Sequence, residues 1–447
     1  VLYRNAFEWR FEFPEVLNEK GDFEGFEAII GNPPYIQLQK MGADADALQN
    51  CGYQTFTRTS DIYCLFYEQA QRLLKPGYFF GYITSNKWMR ANYGEATRRF
   101  LLENTNPLLL VDFGGYQVFE SATVDTNMLI AQNAPYTGQT GTCLLDKSLG
   151  SLEKMSVFIK QHINVVRDFS KESSWVILSE IEARVKAKIE AKGLPLKDWE
   201  VQINYGIKTG FNAAFIIDDN KRQELLKKCP KADSIIRPIL RGRDIKKYNA
   251  EFADKWLINS HNGDNILDRV NLEQDFPAVY EHLKLYENQL IKRYDKGFHW
   301  SNLRNCAYLN ELEKPKIIWI ELSDIPKFSF DTDRYFVEAT AFMMTGDHLK
   351  YLTTFLNSKL SDWYFDKITT TSGVGTNRWK KIYIENFPIP TLPPAIEISF
   401  DQVLDEISKH RGNIPIIEKL DLQLNLMVLD LYDFSKDEKE LILNFSH

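Results

Sequence analysis

Five cysteines in 447 residues leave disulfide chemistry little to work with. Cys51, Cys64, Cys143, Cys229 and Cys306 are scattered, with no Cys-x-x-Cys pair, a usage that fits reduced thiols in a cytoplasmic compartment. The seven histidines show no ligand-like spacing with cysteine or carboxylate, so no metal site is expected. No apolar run approaches the length of a membrane span, and no signal-peptide pattern is present. Positive charge is not in excess either. A formal net charge of −7 weighs against indiscriminate coating of nucleic acid, yet leaves site-specific binding open, because phosphate contact depends on local basic patches. Also missing is a glycine-rich loop that opens a strand–turn–helix unit and could cradle a phosphate or a nucleoside cofactor. Gly114-Gly115 and Gly373-Val374-Gly375 come nearest, and both read as turns.

What remains is an ordinary globular composition, 44% hydrophobic and 26% charged, in a chain long enough for about two or three domains. Within it one short motif carries chemistry. The apolar run Phe26-Glu27-Ala28-Ile29-Ile30-Gly31 reads as a buried strand, and it runs directly into Asn32-Pro33-Pro34-Tyr35. An asparagine side-chain oxygen accepts a hydrogen bond from an exocyclic amine, and the Pro33 carbonyl is placed to accept the second amine hydrogen. Paired prolines fix φ and stiffen the backbone, while Tyr35 offers a ring to stack on a flat base.

The surroundings of the tetrad read as alternating strands and helices. A polar loop is expected over 37–59, poised to lie over a substrate. Ser60-Asp61 is expected to cap a helix with apolar residues at Ile62, Leu65, Phe66, Ala70, Leu73 and Leu74. Lys75-Pro76-Gly77 ends it, Tyr78–Thr84 follows as a strand, Gly94–Glu103 as a helix, and Leu108–Phe113 and Val124–Ala131 as strands. Such alternation predicts a parallel α/β sheet with its site at the carboxyl ends of the strands, which is where Asn32 falls. A helix rich in Glu, Lys and Ala over Glu172–Gly193 is expected to bridge to a second domain. That domain is read as mixed α/β, with short strands such as Phe211–Ile217, Lys316–Ile320 and Arg334–Phe342. Helical periodicity returns over Ile416–Leu431, and a capped helix starts at Ser435.

The tetrad, with the lead-in Phe7-Glu8-Trp9-Arg10-Phe11-Glu12-Phe13-Pro14-Glu15-Val16, resembles the amino-DNA methyltransferases that methylate the exocyclic amine of adenine. Among these it is most similar to the large single-chain restriction–modification enzymes of type IIG with a TaqI-like C-terminal specificity domain. The segment Arg237-Pro238-Ile239-Leu240-Arg241-Gly242-Arg243-Asp244-Ile245-Lys246-Lys247-Tyr248 resembles the Leu-Arg-Gly-Arg/Lys-Asp-Ile element of that domain. The resemblance implies a partial Rossmann-like methyltransferase sheet over 1–165, a target-recognition domain over 166–395 and a helical C-terminal segment over 396–447. It implies S-adenosylmethionine as cofactor and double-stranded DNA as partner, with Asn32, Pro33, Pro34 and Tyr35 as the catalytic tetrad. By its place in Gln117-Val118-Phe119-Glu120, Phe119 would be the second aromatic that sandwiches a flipped base, core packing being the competing role. The cofactor-binding half is not in this sequence, so the chain is expected to be a fragment, inactive alone, with most of the cofactor site upstream of Val1.

Three glycine-flanked basic loops in the second domain fit phosphate and base contact. They contribute Lys208 and Thr209; Arg241, Arg243, Lys246 and Lys247; and Arg378, Lys380 and Lys381, the last group following Thr370-Thr371-Ser372-Gly373-Val374-Gly375-Thr376-Asn377. Taken singly, each loop reads better as a solvated turn, and it is three of them downstream of an adenine-type tetrad that favour DNA contact. Glu311-Leu312-Glu313-Lys314 has the local form of a nuclease metal site but is read as an exposed loop, and any nuclease is expected upstream. Two other functions stay open at this point: an amine methyltransferase acting on protein glutamine or RNA, and a DNA-binding specificity module whose truncated methyltransferase half is inert.

Overall fold

Phe26–Gly31 forms a strand (β1), but an exposed one at the edge of a sheet, with Ile30 87% accessible. The computed structural model describes residues 7–114, 118, 125–145, 149–167, 169, 171, 174–263, 268–369 and 377–446. The chain divides into two units, Val1–Arg184 with Ile368–Val374, and Val185–Lys367 with Gly375–His447. The helix Glu180–Lys192, within the stretch predicted helical, spans the point where the first gives way to the second.

The first unit is built on a six-stranded sheet that continues with β2 (Leu74–Ser85), β3 (Asn106–Asp112), β4 (Thr126–Gln132), β5 (Gln139–Leu144) and β6 (Asn164–Arg167), in the order β1-β2-β4-β3-β5-β6. β1 pairs parallel with β2 and β3 parallel with β5, as strand–helix alternation predicts. The sheet is nevertheless mixed. β4 lies antiparallel between β2 and β3, and β6 antiparallel to β5. The expected parallel character therefore holds only in part: β4, the next strand after β3 in the chain, lies antiparallel beside it.

Helix Tyr63–Leu73 covers this sheet, setting Tyr63, Tyr67 and Ala70 among Phe80, Leu110, Leu129, Trp88 and Trp175. Its start differs from the expected cap. Ser60 and Asp61 precede the N-cap residue Ile62, which makes no side-chain capping bond, and the Ser60 hydroxyl donates to Thr57 O. The segment 37–59 is not an open loop. It holds a helix, Ala43–Asn50, and packs Leu38 and Ala45 against Leu65 on the helix's other side. The buried Glu68 carboxylate accepts from both the amide and the hydroxyl of Thr55 and pairs with Arg72 at 2.6 Å.

In the second unit the strands are β7 (Leu194–Pro195), β8 (Val201–Tyr205), β9 (Ile216–Asp218), β10 (Ile236–Leu240), β11 (Lys255–Ile258), β12 (Lys316–Ile320), β13 (Leu322–Ser323), β14 (Ser329–Asp331), β15 (Phe336–Val337), β16 (Ala341–Gly346), β17 (Asn377–Arg378) and β18 (Pro388–Ile389). They form two four-stranded sheets, β15-β10-β11-β9 and β14-β12-β16-β8, and two small pairs, β13 with β17 and β18 with β7. The predicted strand over Phe211–Ile217 is mostly a helical turn, Asn212–Phe215, because Asn212 bonds back to Thr209 and closes the chain locally. Helices Pro394–Lys409, Ile414–Asp430 and Lys436–Leu443 complete the unit, the last opened by the predicted cap, a reciprocal Ser435–Glu438 box.

A buried ion pair fastens the turn between β14 and β15. Lys316 Nζ lies 2.6 Å from Asp331 Oδ2, with side chains 0% and 2% exposed. Lys316 also donates to Leu312 O, and Asp331 accepts from the amides of Asp333 and Tyr335. Removing the lysine strands a buried carboxylate. Lys316→Met is therefore expected to cost about 3–5 kcal/mol in denaturant unfolding. Lys316→Met/Asp331→Leu should recover only part of this, since two amides then lose their acceptor. A single-variant cost under about 1 kcal/mol would show that the pair does not hold this turn.

Candidate functional sites in the two units

The parallel pairing of β1 with β2 brings Gly31 opposite Tyr82, so Asn32 leaves the sheet at the edge where β2 ends in Ser85-Asn86 and β3 in Asp112. Pro33 is buried, Asn32 and Pro34 exposed, Tyr35 half-buried. Immediately beyond, the chain zips onto the start of the Tyr63–Leu73 helix: Ile62 N donates to Ile36 O at 2.8 Å and Leu38 N to Ser60 O at 2.9 Å. The tetrad is thus held between a strand end and a pinned segment. Among the described residues neither the Asn32 side chain nor the Pro33 carbonyl has a hydrogen-bond partner. Both acceptors, on successive residues, are thus left without a protein partner.

Tyr35 is anchored on the neighbouring strand and helix. Its hydroxyl donates to Ile83 O at 3.3 Å, and its ring meets Tyr63 edge-on with centroids 5.8 Å apart. Burial pushes the phenol up to about 12, so it stays a neutral donor. Tyr63 and Tyr93 hydroxyls lie 3.1 Å apart, and Tyr93 donates to Asp61 Oδ2 at 3.4 Å. Burial raises the Asp61 carboxyl above its usual range, with Lys87 and the two tyrosines acting against it. At the same edge Asp112 accepts from Asn86 Nδ2 at 3.0 Å and Gly114 N at 3.1 Å, and burial raises it too. The tyrosine–aspartate cluster was missed in the sequence, where Tyr63 and Tyr93 carry no motif. Phe119, the expected stacking partner, lies outside the described residues.

In the second unit a cleft of about 760 Å³ opens between the ends of the two four-stranded sheets, with Asn212, Arg241, Arg243, Lys255 and Glu338 among its lining. β10 and β15 run parallel and end together there, Leu240 beside Val337. β16 begins at Ala341 on the same side, opposite Ile320 at the end of β12. Gly206 lets the β8 end approach: a Cβ there would collide with the carbonyls of Val337 and Glu338. The cleft edge is continued by β17, whose Arg378 backbone pairs with Leu322, and by Trp379, buried face-to-face on Phe365 at 3.9 Å.

The expected basic residues divide sharply. Arg243, Lys246 and Lys208 are exposed and, among the described residues, have no side-chain hydrogen-bond or ion-pair partner. Arg241 is committed: its Nε and Nη2 grip both oxygens of Asp244 at 2.9 and 2.8 Å. Burial raises the Asp244 carboxyl, but the side-chain and backbone bonds from Arg241 outweigh it and hold the group below its usual range. Lys247 pairs with Asp421 at 2.7 Å, Lys380 lies 4.0 Å from Glu321, and Lys381 donates to Ile203 O at 2.8 Å. Thr209 is 2% exposed, its hydroxyl donating to Asn212 Oδ1. Residues 370–376 of the third loop lie outside the described residues. Glu311 and Glu313 are paired with Lys314 and Arg237. Arg293, unnoticed in the sequence, is 7% exposed and donates to the carbonyls of Thr209, Trp300 and Asn302. It fixes the Lys208–Thr209 turn from within.

Comparison with known proteins agrees with this two-part layout. Residues 2–119 match the family described as Eco57I restriction-modification methylase, and residues 237–389 match the TaqI-like C-terminal specificity domain. The chain is 21% identical over 449 residues to the type II methyltransferase M.BstVI of Geobacillus stearothermophilus, covering 93% of this chain and 75% of that protein. Over 108 residues it is 32% identical to the type II restriction enzyme and methyltransferase RM.Eco57I of Escherichia coli, 23% of this chain and 11% of the relative. Among solved structures, the type IIL restriction-modification enzyme MmeI in complex with DNA superposes with a TM-score of 0.58 at 12% identity, covering 98% of this chain and 59% of that one. The chain thus resembles restriction–modification methylases in two segments, matching the Eco57I methylase model over residues 2–119 and the TaqI-like specificity domain over residues 237–389.

Proposed function

We propose that the protein carrying this chain is a site-specific DNA adenine methyltransferase of a restriction–modification system. The first unit holds the acceptor base and the second reads the duplex. The observation that carries the reading is the pair of unused acceptors, Asn32 Oδ1 and Pro33 O, fixed by two prolines at the carboxyl edge of a parallel strand pair. An adenine amine is a weak nucleophile because its lone pair is conjugated with the ring. Two acceptors, one for each N–H, favour a pyramidal nitrogen with its lone pair directed outward. This is stabilisation by orientation and fixed dipoles, and it needs no strong side-chain base. Tyr35, neutral and anchored through its hydroxyl, would replace stacking lost when the base leaves the duplex.

S-adenosylmethionine is the methyl donor in this reading. The described residues do not supply its cradle. β1 runs into two prolines that have no N–H to offer, and Gly114 at the end of β3 is turned against Leu145 O. The roles assigned here therefore concern the acceptor base alone.

Asn32→Ala in the full protein is expected to lower methyl transfer at least about 100-fold while leaving duplex affinity within about twofold. Equal loss of both would contradict a role for Asn32 at the amine. Tyr35→Phe keeps the ring and should reduce transfer only modestly. Tyr35→Ala should weaken retention of a 2-aminopurine placed at the target position, by about 1–3 kcal/mol for a lost stack. Indistinguishable fluorescence in the two variants would remove Tyr35 from the base site. For the second unit, Arg243→Ala and Lys246→Ala are each expected to reduce the slope of log affinity against log salt by about 1. Unchanged slopes would place the phosphate backbone elsewhere.

A further inference from the structure

The cleft of the second unit contains a carboxylate where an anion-binding surface has least use for one. Glu338 is half-buried at the junction of the two sheets, beside Arg241, Arg243 and Lys255. Among the described residues it forms an ion pair with none of them, and the Arg241 fork is already held by Asp244. Its one side-chain hydrogen bond among the described residues comes from Asn212, whose Nδ2 donates to Glu338 Oε1 at 2.5 Å. Asn212 is itself fixed by the Thr209 hydroxyl, which donates to its Oδ1 at 2.5 Å. That relay orients the amide so that its NH₂ faces the carboxylate. The backbone beneath is fixed as well, Glu338 N donating to Leu240 O at 2.9 Å and Ala341 N to Glu338 O at 2.8 Å.

An oriented carboxylate repels phosphate, and it accepts hydrogen bonds from any N–H donor presented to it. Of the groups on the major-groove edge of duplex DNA, only the exocyclic amines of cytosine and adenine are donors. The geometry points to Glu338, positioned by Asn212 and Thr209, as a specificity-determining residue that accepts a hydrogen bond from such an amine at one base pair of the recognition sequence. This rests on the second unit being a duplex-reading domain. The flanking exposed cations would then contact phosphates, and Glu338 would select sequence while adding nothing to nonspecific affinity.

The test is selection of duplexes from a randomised library by the full chain, comparing wild type with Glu338→Gln and Glu338→Ala, with thermal unfolding of each as a check on folding. Wild type should enrich a sequence containing a cytosine or adenine whose preference falls at least about tenfold in Glu338→Ala, with every other position kept; the identity of that base distinguishes the two amines. Asn212→Ala should weaken the same position and no other. A Glu338→Ala sequence identical to wild type at every position would overturn the proposal and leave the duplex-reading function intact. Loss of duplex binding by wild type would overturn that function itself and the proposal with it.

Discussion

The parallel pairing of β1 with β2 is the constraint on which the first unit's chemistry depends. Its register sets Ile30 opposite Gly81 and Gly31 opposite Tyr82. A slip of one residue would exchange the faces of every side chain along the strand and swing the tetrad away from the sheet edge. Beyond the strand, the prolines hold the chain stiff, and the bonds of Ile36 and Leu38 to the segment before helix Tyr63–Leu73 stop it from folding back. The result is a short stretch of backbone whose acceptors are unpaired because rigid geometry keeps them from finding internal partners. An exposed, unpaired acceptor pair in a flexible loop would have no such meaning.

The second unit solves a different problem, that of bringing loops distant in sequence to one place. The segment Val337–Ala341 does this work. It receives Gly206 N at Ala341 O, Ile207 N at Val337 O and, through its own Glu338 N, the carbonyl of Leu240. Two distant chain stretches converge on this one peptide run, and the charges gathered around it are then sorted. Arg241 and Asp244 satisfy each other and shape a turn, Lys381 holds a carbonyl, and Arg243 and Lys246 remain in solvent. In the reading proposed above, affinity for a polyanion and selection among sequences would fall to different side chains.

Much of the first unit was legible because its signals are local. The tetrad, the 3.6-residue periodicity after Ile62 and the apolar runs of β1 to β4 each lie within a dozen or so residues. Strand direction was not legible, since an apolar run such as β4 reads alike whether it pairs parallel or antiparallel. The Thr55–Glu68 contact that pins the segment 37–59 joins polar residues that carry no pattern. In the second unit the basic loops were visible, yet which cations stay free was not. The Asp three residues after Arg241 was the one local hint of a committed fork. Glu338 and Asn212 stand far apart in the sequence and meet only because the chain just after β8 pairs with the segment that follows β15, Ile207 bridging to Glu338, so no sequence pattern could have joined them.

The central claim is that the tetrad serves the amine of adenine in duplex DNA. The most direct measurement is mass-spectrometric nucleoside analysis of DNA from a host lacking adenine methylation that expresses the full protein carrying this chain. N6-methyladenine at a single sequence context, absent with Asn32→Ala, is the expected result. N4-methylcytosine in its place, or unmodified DNA alongside methylated protein or RNA, would contradict it.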